Sequence, residues 1–190
     1  MKIGIYSGSF NPIHIGHLML ANYYVEYGGF DEVWMLVSPH NPLRERTSNH
    51  NDYHRCKMVQ MAVNKIPRIK FSDIEFTLPQ PSYTINTLDA LRDKYPGYEF
   101  TLIIGADNWH IFGKWYESQR IIDDYGVCIY PRRGYEIDEA SLPNHVTCVP
   151  APIVEVSSTW IRQGVSEGRN MVAFLPYGVY DYIKENNLYQ

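Results

Sequence analysis

The stretch Ser7-Gly8-Ser9-Phe10-Asn11-Pro12-Ile13-His14-Ile15-Gly16-His17 decides how the rest of the chain is read. An apolar run, Ile3–Tyr6, precedes it. A helical pattern with Leu18, Ala21 and Val25 on one face follows, and Gly28-Gly29 supplies the stop. In a parallel sheet, a turn between a strand and the next helix lies at the carboxyl ends of the strands. The first such turn flanks the point where strand order reverses, and ligands bind there. Backbone N–H groups at Gly8, Ser9 and Phe10, with the positive end of the helix behind them, favour phosphate. His14 and His17 project from the same face of the first helical turn, so two imidazole donors face one anion. A plainer account makes one histidine a cap and the other ordinary surface, but strand, glycine turn and helix in succession favour phosphate binding.

Working outward, further β-rich runs occur at Val33–Val37, Ile69–Ile74, Phe100–Ile104 and Val127–Tyr130, each followed by Gly, Pro, Ser or Asn. Between the second and third runs, Cys56, Val59, Val63 and Ile66 repeat at helical spacing up to Pro67. After the third, Ile85, Leu88, Leu91 and Tyr95 do the same, ending at Pro96-Gly97. This alternation predicts an α/β fold: a Rossmann-like three-layer α/β/α arrangement with a mainly parallel sheet of about five or six strands. Residues 134–152 read as a loop, rich in Pro and acidic residues, with one more strand candidate at Val146–Val149. A short helix is expected at Thr159–Val165 and another from Pro176 through Tyr180 and Ile183 to Asn187.

The chain has 190 residues, and at roughly 100 to 200 residues per domain a single domain over 1–190 is expected, its helical segment 157–190 closing the site. A net charge of −4 argues against a dedicated nucleic-acid surface while leaving room for one basic pocket. Cys56, Cys128 and Cys148 form no CxxC pair and are odd in number, which fits a reducing cytoplasm and neither a disulfide framework nor a cysteine zinc site. No apolar stretch reaches the roughly 20 residues that span a bilayer, and no signal peptide is evident. A cytoplasmic protein without membrane contact is expected. The oligomeric state is left open, a homo-oligomer included.

The chain carries neither GxGxxG nor GxxxxGK[ST], which disfavours hydride transfer and P-loop hydrolysis. Near the C-terminal end, Ser157, Ser158 and Thr159 precede Arg162 as a helix begins. Alone this is an N-cap. Physically, those hydroxyls and the planar fork of Arg162 are suited to polyphosphate. His14-Ile15-Gly16-His17 resembles the (H/T)xGH signature of the nucleotidylyltransferase superfamily, and Val156-Ser157-Ser158-Thr159-Trp160-Ile161-Arg162 is similar to its second signature, ISSTxIR. The same HxGH string marks class I aminoacyl-tRNA synthetases, but a KMSKS-like loop and the length for anticodon-binding domains are both missing.

Three further stretches resemble the nicotinate mononucleotide adenylyltransferases: Pro81 to Leu88, Gly105-Ala106-Asp107 followed by Trp115-Tyr116, and Pro131 to Tyr135. The resemblance implies that His14, His17 and Arg162 are catalytic. It implies ATP binding by Gly8, Ser9, Phe10, Gly105, Asp107, Ser157, Ser158 and Thr159. For nicotinate mononucleotide it implies Thr84, Trp115, Tyr116, Arg133 and Arg44, with Thr84 and the backbone near Tyr116 at the pyridine carboxylate and Trp115 stacked on the ring. Arg132 competes with Arg133 for the phosphate. Where many relatives carry Pro-Pro-His and a basic residue, this chain has Asn41-Pro42-Leu43-Arg44, so the histidine is replaced and His40 lies nearby. His50 and His54 have metal-like spacing but lack the Glu of HExxH, and no protein metal site is expected. Mg²⁺ is expected with ATP. The implied reaction is adenylyl transfer to nicotinate mononucleotide. The rival acceptor is phosphopantetheine, and the rival class a nucleotide-binding module without turnover.

Overall fold

A computed structural model describes residues 1–39 and 52–190 of the chain. Six strands form one sheet: β1 (Lys2–Gly8), β2 (Glu32–Val37), β3 (Ile69–Ser72), β4 (Glu99–Gly105), β5 (Val127–Tyr130) and β6 (Val146–Cys148). Their order is β3-β2-β1-β4-β5-β6, and every neighbouring pair is parallel. Order therefore reverses between β1 and β4, and a ligand crevice is expected above that gap. The strands read as near-continuous apolar runs because both faces of the sheet are covered.

One face carries α1 (Ile15–Tyr27), α2 (Asp52–Val63), α6 (Ser158–Ser166) and α7 (Val179–Glu185), packed on Tyr6, Val33, Met35, Val37, Cys128 and Tyr130. The other carries α3 (Thr84–Lys94), the single turn α4 (Ala106–Trp109) and α5 (Ser118–Tyr125), packed on Ile3, Ile5, Leu36, Leu102, Ile104 and Ile129. Successive strand residues thus feed opposite cores, as the period of two requires. No helix of the described residues is long and apolar enough to cross a membrane.

The differences from expectation have local causes. The second predicted helix ends at Val63, so Ile66 lies in the turn that follows. β3 ends at Ser72, and Ile74 opens a 3-10 turn, Ile74–Thr77, instead of extending the strand. The last helix starts at Val179, after a turn in which Val179 N donates to Pro176 O and Gly178 takes a left-handed φ of 79°. The 134–152 segment supplies the edge strand β6. The one long helix that sequence periodicity misses is α5, whose eight residues bury only Ile121 and Ile122.

Candidate active site

Above the gap between β1 and β4 lie two cavities that share Tyr6 and Tyr130 as a common boundary. The larger, about 540 Å³, is lined by His14, Gly16, His17, Asp107, Arg132, Ser157 and Ser158 among others. The smaller, about 200 Å³, is lined by Ser7, Ser38, Thr84, Gly105, Asn108 and Trp115 together with the ends of β4. Tyr6 ends an apolar run and Tyr130 is the last residue of β5. Their rings meet edge-on at 6.0 Å, and burial with the neighbouring Tyr130 raises the Tyr6 hydroxyl well above 10. Tyr6 is therefore a neutral wall.

The two histidines face each other as their spacing requires. Their rings stack at 3.6 Å, and the His14 backbone N–H donates to His17 Nδ1 at 3.2 Å. With Nδ1 accepting, the proton of a neutral His17 sits on Nε2. Phe10 packs edge-on to His17 at 5.0 Å, and His14 Nδ1 is buried without a hydrogen-bond partner. Burial, and after it the charge of Arg132, pushes His14 down to about 4. Burial, His14 and Arg132 hold His17 well below 6.5. Both are neutral donors at pH 7.

These shifts set a stability dependence. Each folded pKa lies below the unfolded value, so the unfolded chain binds more protons below pH 6.5. The contribution of the pair is fully present above pH 6.5 and is lost as pH falls toward 4. Denaturant midpoints between pH 7 and 4.5 should fall accordingly, and a His14→Gln, His17→Gln double variant should show a shallower fall. Identical slopes would contradict the neutral assignment.

The larger cavity also holds a cation that neighbouring sequence positions left ambiguous. Arg132 lies 3.6 Å from Asp107 Oδ1, donates to Tyr130 Oη at 3.2 Å and sits over the Tyr130 ring at 5.2 Å. Arg133 turns to the rim and pairs with Glu155 at 2.9 Å, four-fifths exposed. Both arginines line the larger cavity, Arg132 beside Asp107 and Arg133 beside Glu155.

Asp107 opens onto the same cavity with Oδ1 buried and without a hydrogen-bond partner. Gly105 makes room for it, since a Cβ there would stand 2.3 Å from Asp107 Oδ1. Gly105 itself lines the smaller cavity.

The C-terminal motif divides into two roles. Ser157 and Ser158 line the larger cavity, and Ser157 also caps α6 by accepting from Trp160 N at 3.2 Å. Ser158 donates to Pro12 O at 2.8 Å and Arg162 to Asn11 O at 2.7 Å, while Thr159 Oγ1 accepts from Arg162 at 3.3 Å. Neither Thr159 nor Arg162 lines the cavity. Arg162 holds the first turn through Asn11, and Thr159 in turn bonds Arg162. Gly8, Ser9 and Phe10 line neither cavity, and Ser9 is exposed. Phe10 is buried under His17, Gly8 leaves space for the Phe10 ring, and Ser9 O accepts from Arg55 at 2.6 Å.

In the smaller cavity, Thr84 begins α3 and Trp115, packed on Phe112 at 5.2 Å, shares the lining. Tyr116 lies outside, half-exposed with its ring 4.7 Å from Tyr83. Asp89 of α3 accepts both oxygens' worth of hydrogen bonds from Arg120 of α5, at 2.7 and 2.6 Å, which ties the helix after Trp115 to the helix that Thr84 starts. Arg44, His40 and His50, and the departure at Asn41 to Leu43, lie outside the described residues. His54 bonds the Tyr182 hydroxyl at 2.7 Å, and the described residues contain no group of three His, Cys, Asp or Glu fit for a metal.

Residues 5–164 match the cytidylyltransferase-like family. A Bacteroides fragilis protein named as a probable nicotinate-nucleotide adenylyltransferase is 50% identical over 182 residues, 96% of this chain and 90% of that protein. A Flavobacterium johnsoniae protein of the same name is 45% identical over 192 residues, covering all of both chains. Among solved structures, the Plasmodium falciparum nicotinic acid mononucleotide adenylyltransferase complexed with NaAD superimposes with a TM-score of 0.79 at 22% identity, covering 99% of this chain and 97% of that one. That last likeness is one of fold.

Proposed function

The chain belongs to the cytidylyltransferase-like family and, within it, to the nicotinate-nucleotide adenylyltransferases, and from that premise we propose how its two cavities divide the work. The enzyme transfers the adenylyl group of ATP to nicotinate mononucleotide, giving nicotinate adenine dinucleotide and pyrophosphate in NAD biosynthesis. The observation that carries the division is the shared Tyr6 and Tyr130 boundary, with paired histidines and Arg132 on one side and Thr84 and Trp115 on the other. ATP occupies the larger cavity. The acceptor's pyridine ring lies on Trp115 with its carboxylate toward Thr84, and its phosphate passes the tyrosines to reach the α-phosphorus.

A phosphate oxygen of nicotinate mononucleotide forms the new P–O bond as the bond from the α-phosphorus to pyrophosphate breaks. The nucleophile is already an anion, so no general base is needed, and the neutral histidines agree with that. Catalysis rests on alignment and on donors aimed at growing charge. His17 Nε2–H and the Arg132 guanidinium supply them, with His14 completing the anion site. Asp107 Oδ1, which faces Arg132 but makes no hydrogen bond, suits a ribose hydroxyl of the adenosine. Ser158 and Arg162 hold Pro12 and Asn11, and Thr159 bonds Arg162.

ATP enters as its magnesium complex. The described donor set fits that form, since it offers no metal cage of its own and Mg²⁺ commonly keeps phosphate and water ligands. The test supplies purified protein and MgATP with nicotinate mononucleotide, nicotinamide mononucleotide or phosphopantetheine in parallel. Dinucleotide from nicotinate mononucleotide, ahead of the amide and abolished by EDTA, is the expected result. Product from phosphopantetheine alone would overturn the acceptor assignment.

A further inference from the structure

Behind the smaller cavity lies a carboxyl group that the reaction above does not use. Glu75, on the 3-10 turn after β3, is 6% exposed and does not line the cavity. Ser7 and Ser38 stand between it and the cavity, and both contribute to the lining. Ser7 Oγ donates to Glu75 Oε1 at 2.8 Å and lies 2.8 Å from Ser38 Oγ. Arg55 of α2, 3% exposed, donates to Ser9 O at 2.6 Å and Ser38 O at 2.7 Å and pairs with Asp52 at 2.6 Å. Ser38 is therefore fixed by Arg55 at its backbone, and Ser7 by the pairing of β1 with β2.

A hydroxyl has one hydrogen to give. That of Ser7 goes to Glu75, so the hydrogen between the serines comes from Ser38, or Ser38 too points at the carboxylate. In either case both hydrogens turn inward and the cavity meets oxygen lone pairs only. Such a wall accepts hydrogen bonds and disfavours an anion. It adjoins Tyr6, which the two cavities share, in the cavity that Trp115 also lines.

Resting on the acceptor assignment above, we propose that Glu75 is a positioning residue of the acceptor cavity. By drawing in the hydroxyl hydrogens of Ser7 and Ser38, it makes the wall between the ring and phosphate ends a receptor for ribose hydroxyls. The mononucleotide is thereby oriented with its diol toward β1 and β2 and its two anionic groups away from them.

The test is steady-state kinetics on the intact enzyme and its Glu75→Gln variant, each substrate varied in turn. Glutamine keeps the volume but donates to Ser7, which turns hydroxyl hydrogens toward the cavity. The KM for nicotinate mononucleotide should rise about tenfold, that for ATP should stay within about twofold, and the preference for acid over amide should not change. A 2′-deoxy or 3′-deoxy acceptor should lose affinity with the wild-type enzyme and lose no more with the variant. Ser38→Ala, a smaller change, should reproduce part of the acceptor effect if Glu75→Gln lowers the melting temperature.

Parallel rises in both KM values, a shifted acid-to-amide ratio, or full sensitivity of the variant to deoxy acceptors would overturn the inference alone. A wild-type enzyme that makes no dinucleotide from nicotinate mononucleotide would overturn the functional assignment first and the inference with it.

Discussion

Replacing His17 by alanine should lower kcat about 10²- to 10³-fold, the loss typical of a donor aimed at transition-state charge, with little change in the dissociation constant of ATP. Only interactions stronger in the transition state than in the ground state accelerate chemistry. The Nδ1 atom of His17 is occupied by the His14 backbone N–H, so its remaining proton lies on Nε2, ready for the α-phosphate as negative charge grows there. Because burial keeps the ring neutral, it contributes a directed dipole, not a full charge, and ATP gains little from it at rest. The same substitution orphans the His14 N–H at the start of α1, a loss of about 1 kcal/mol of stability. Single-turnover rates, equilibrium binding of ATP and a melting curve separate these effects. An unchanged rate constant would remove His17 from the chemistry, and a matching loss of ATP affinity would make it a ground-state ligand.

Trp115→Ala should act on the other substrate. Stacking of a flat heterocycle on an aromatic side chain contributes about 1–3 kcal/mol, so the KM for nicotinate mononucleotide should rise about tenfold or more while that for ATP moves less than about threefold. Nicotinamide mononucleotide should suffer equally, since the ring is lost to both. The indole lines the smaller cavity and packs on Phe112 with the rings at 45°, so its removal enlarges a space already open to solvent. A folded protein with a selective defect is expected. Equal losses for both substrates would contradict the division between the cavities.

How much of this was legible in the sequence follows from the physics of each signal. A parallel sheet covered on both faces writes its strands as apolar runs, and all six were readable. Helices α1 and α3 announced themselves through one buried stripe and a terminal stop. Helix α5 did not, because two adjacent isoleucines define no period and its tie through Arg120 is to Asp89 of another helix. At the site, HxGH was visible because the spacing of the histidines is itself the geometry. Arg132 and Arg133 looked equivalent as letters, and only their partners, Asp107 and Glu155, separate them. That Thr159 and Arg162 lie outside the lining of the larger cavity was not legible, because a motif does not say which way its side chains turn. Glu75 and Arg55 gave no signal at all: a buried charge is recognised by its partners, and those come from β1, β2 and the loop after them.

The hydrogen bonds to the 11–12 turn carry a consequence for how the enzyme comes into being. Ser158 and Arg162 reach Pro12 and Asn11 across 146 and 151 residues, and Tyr189 reaches the Asn11 side chain across 178. Contacts of such sequence separation form late, since the loops they close must first be ordered by other interactions. During translation the catalytic turn therefore waits, its histidines already made but their support still unsynthesised, until residue 189 has been joined to the chain. A nascent enzyme carries its signature before the residues that hold it in place.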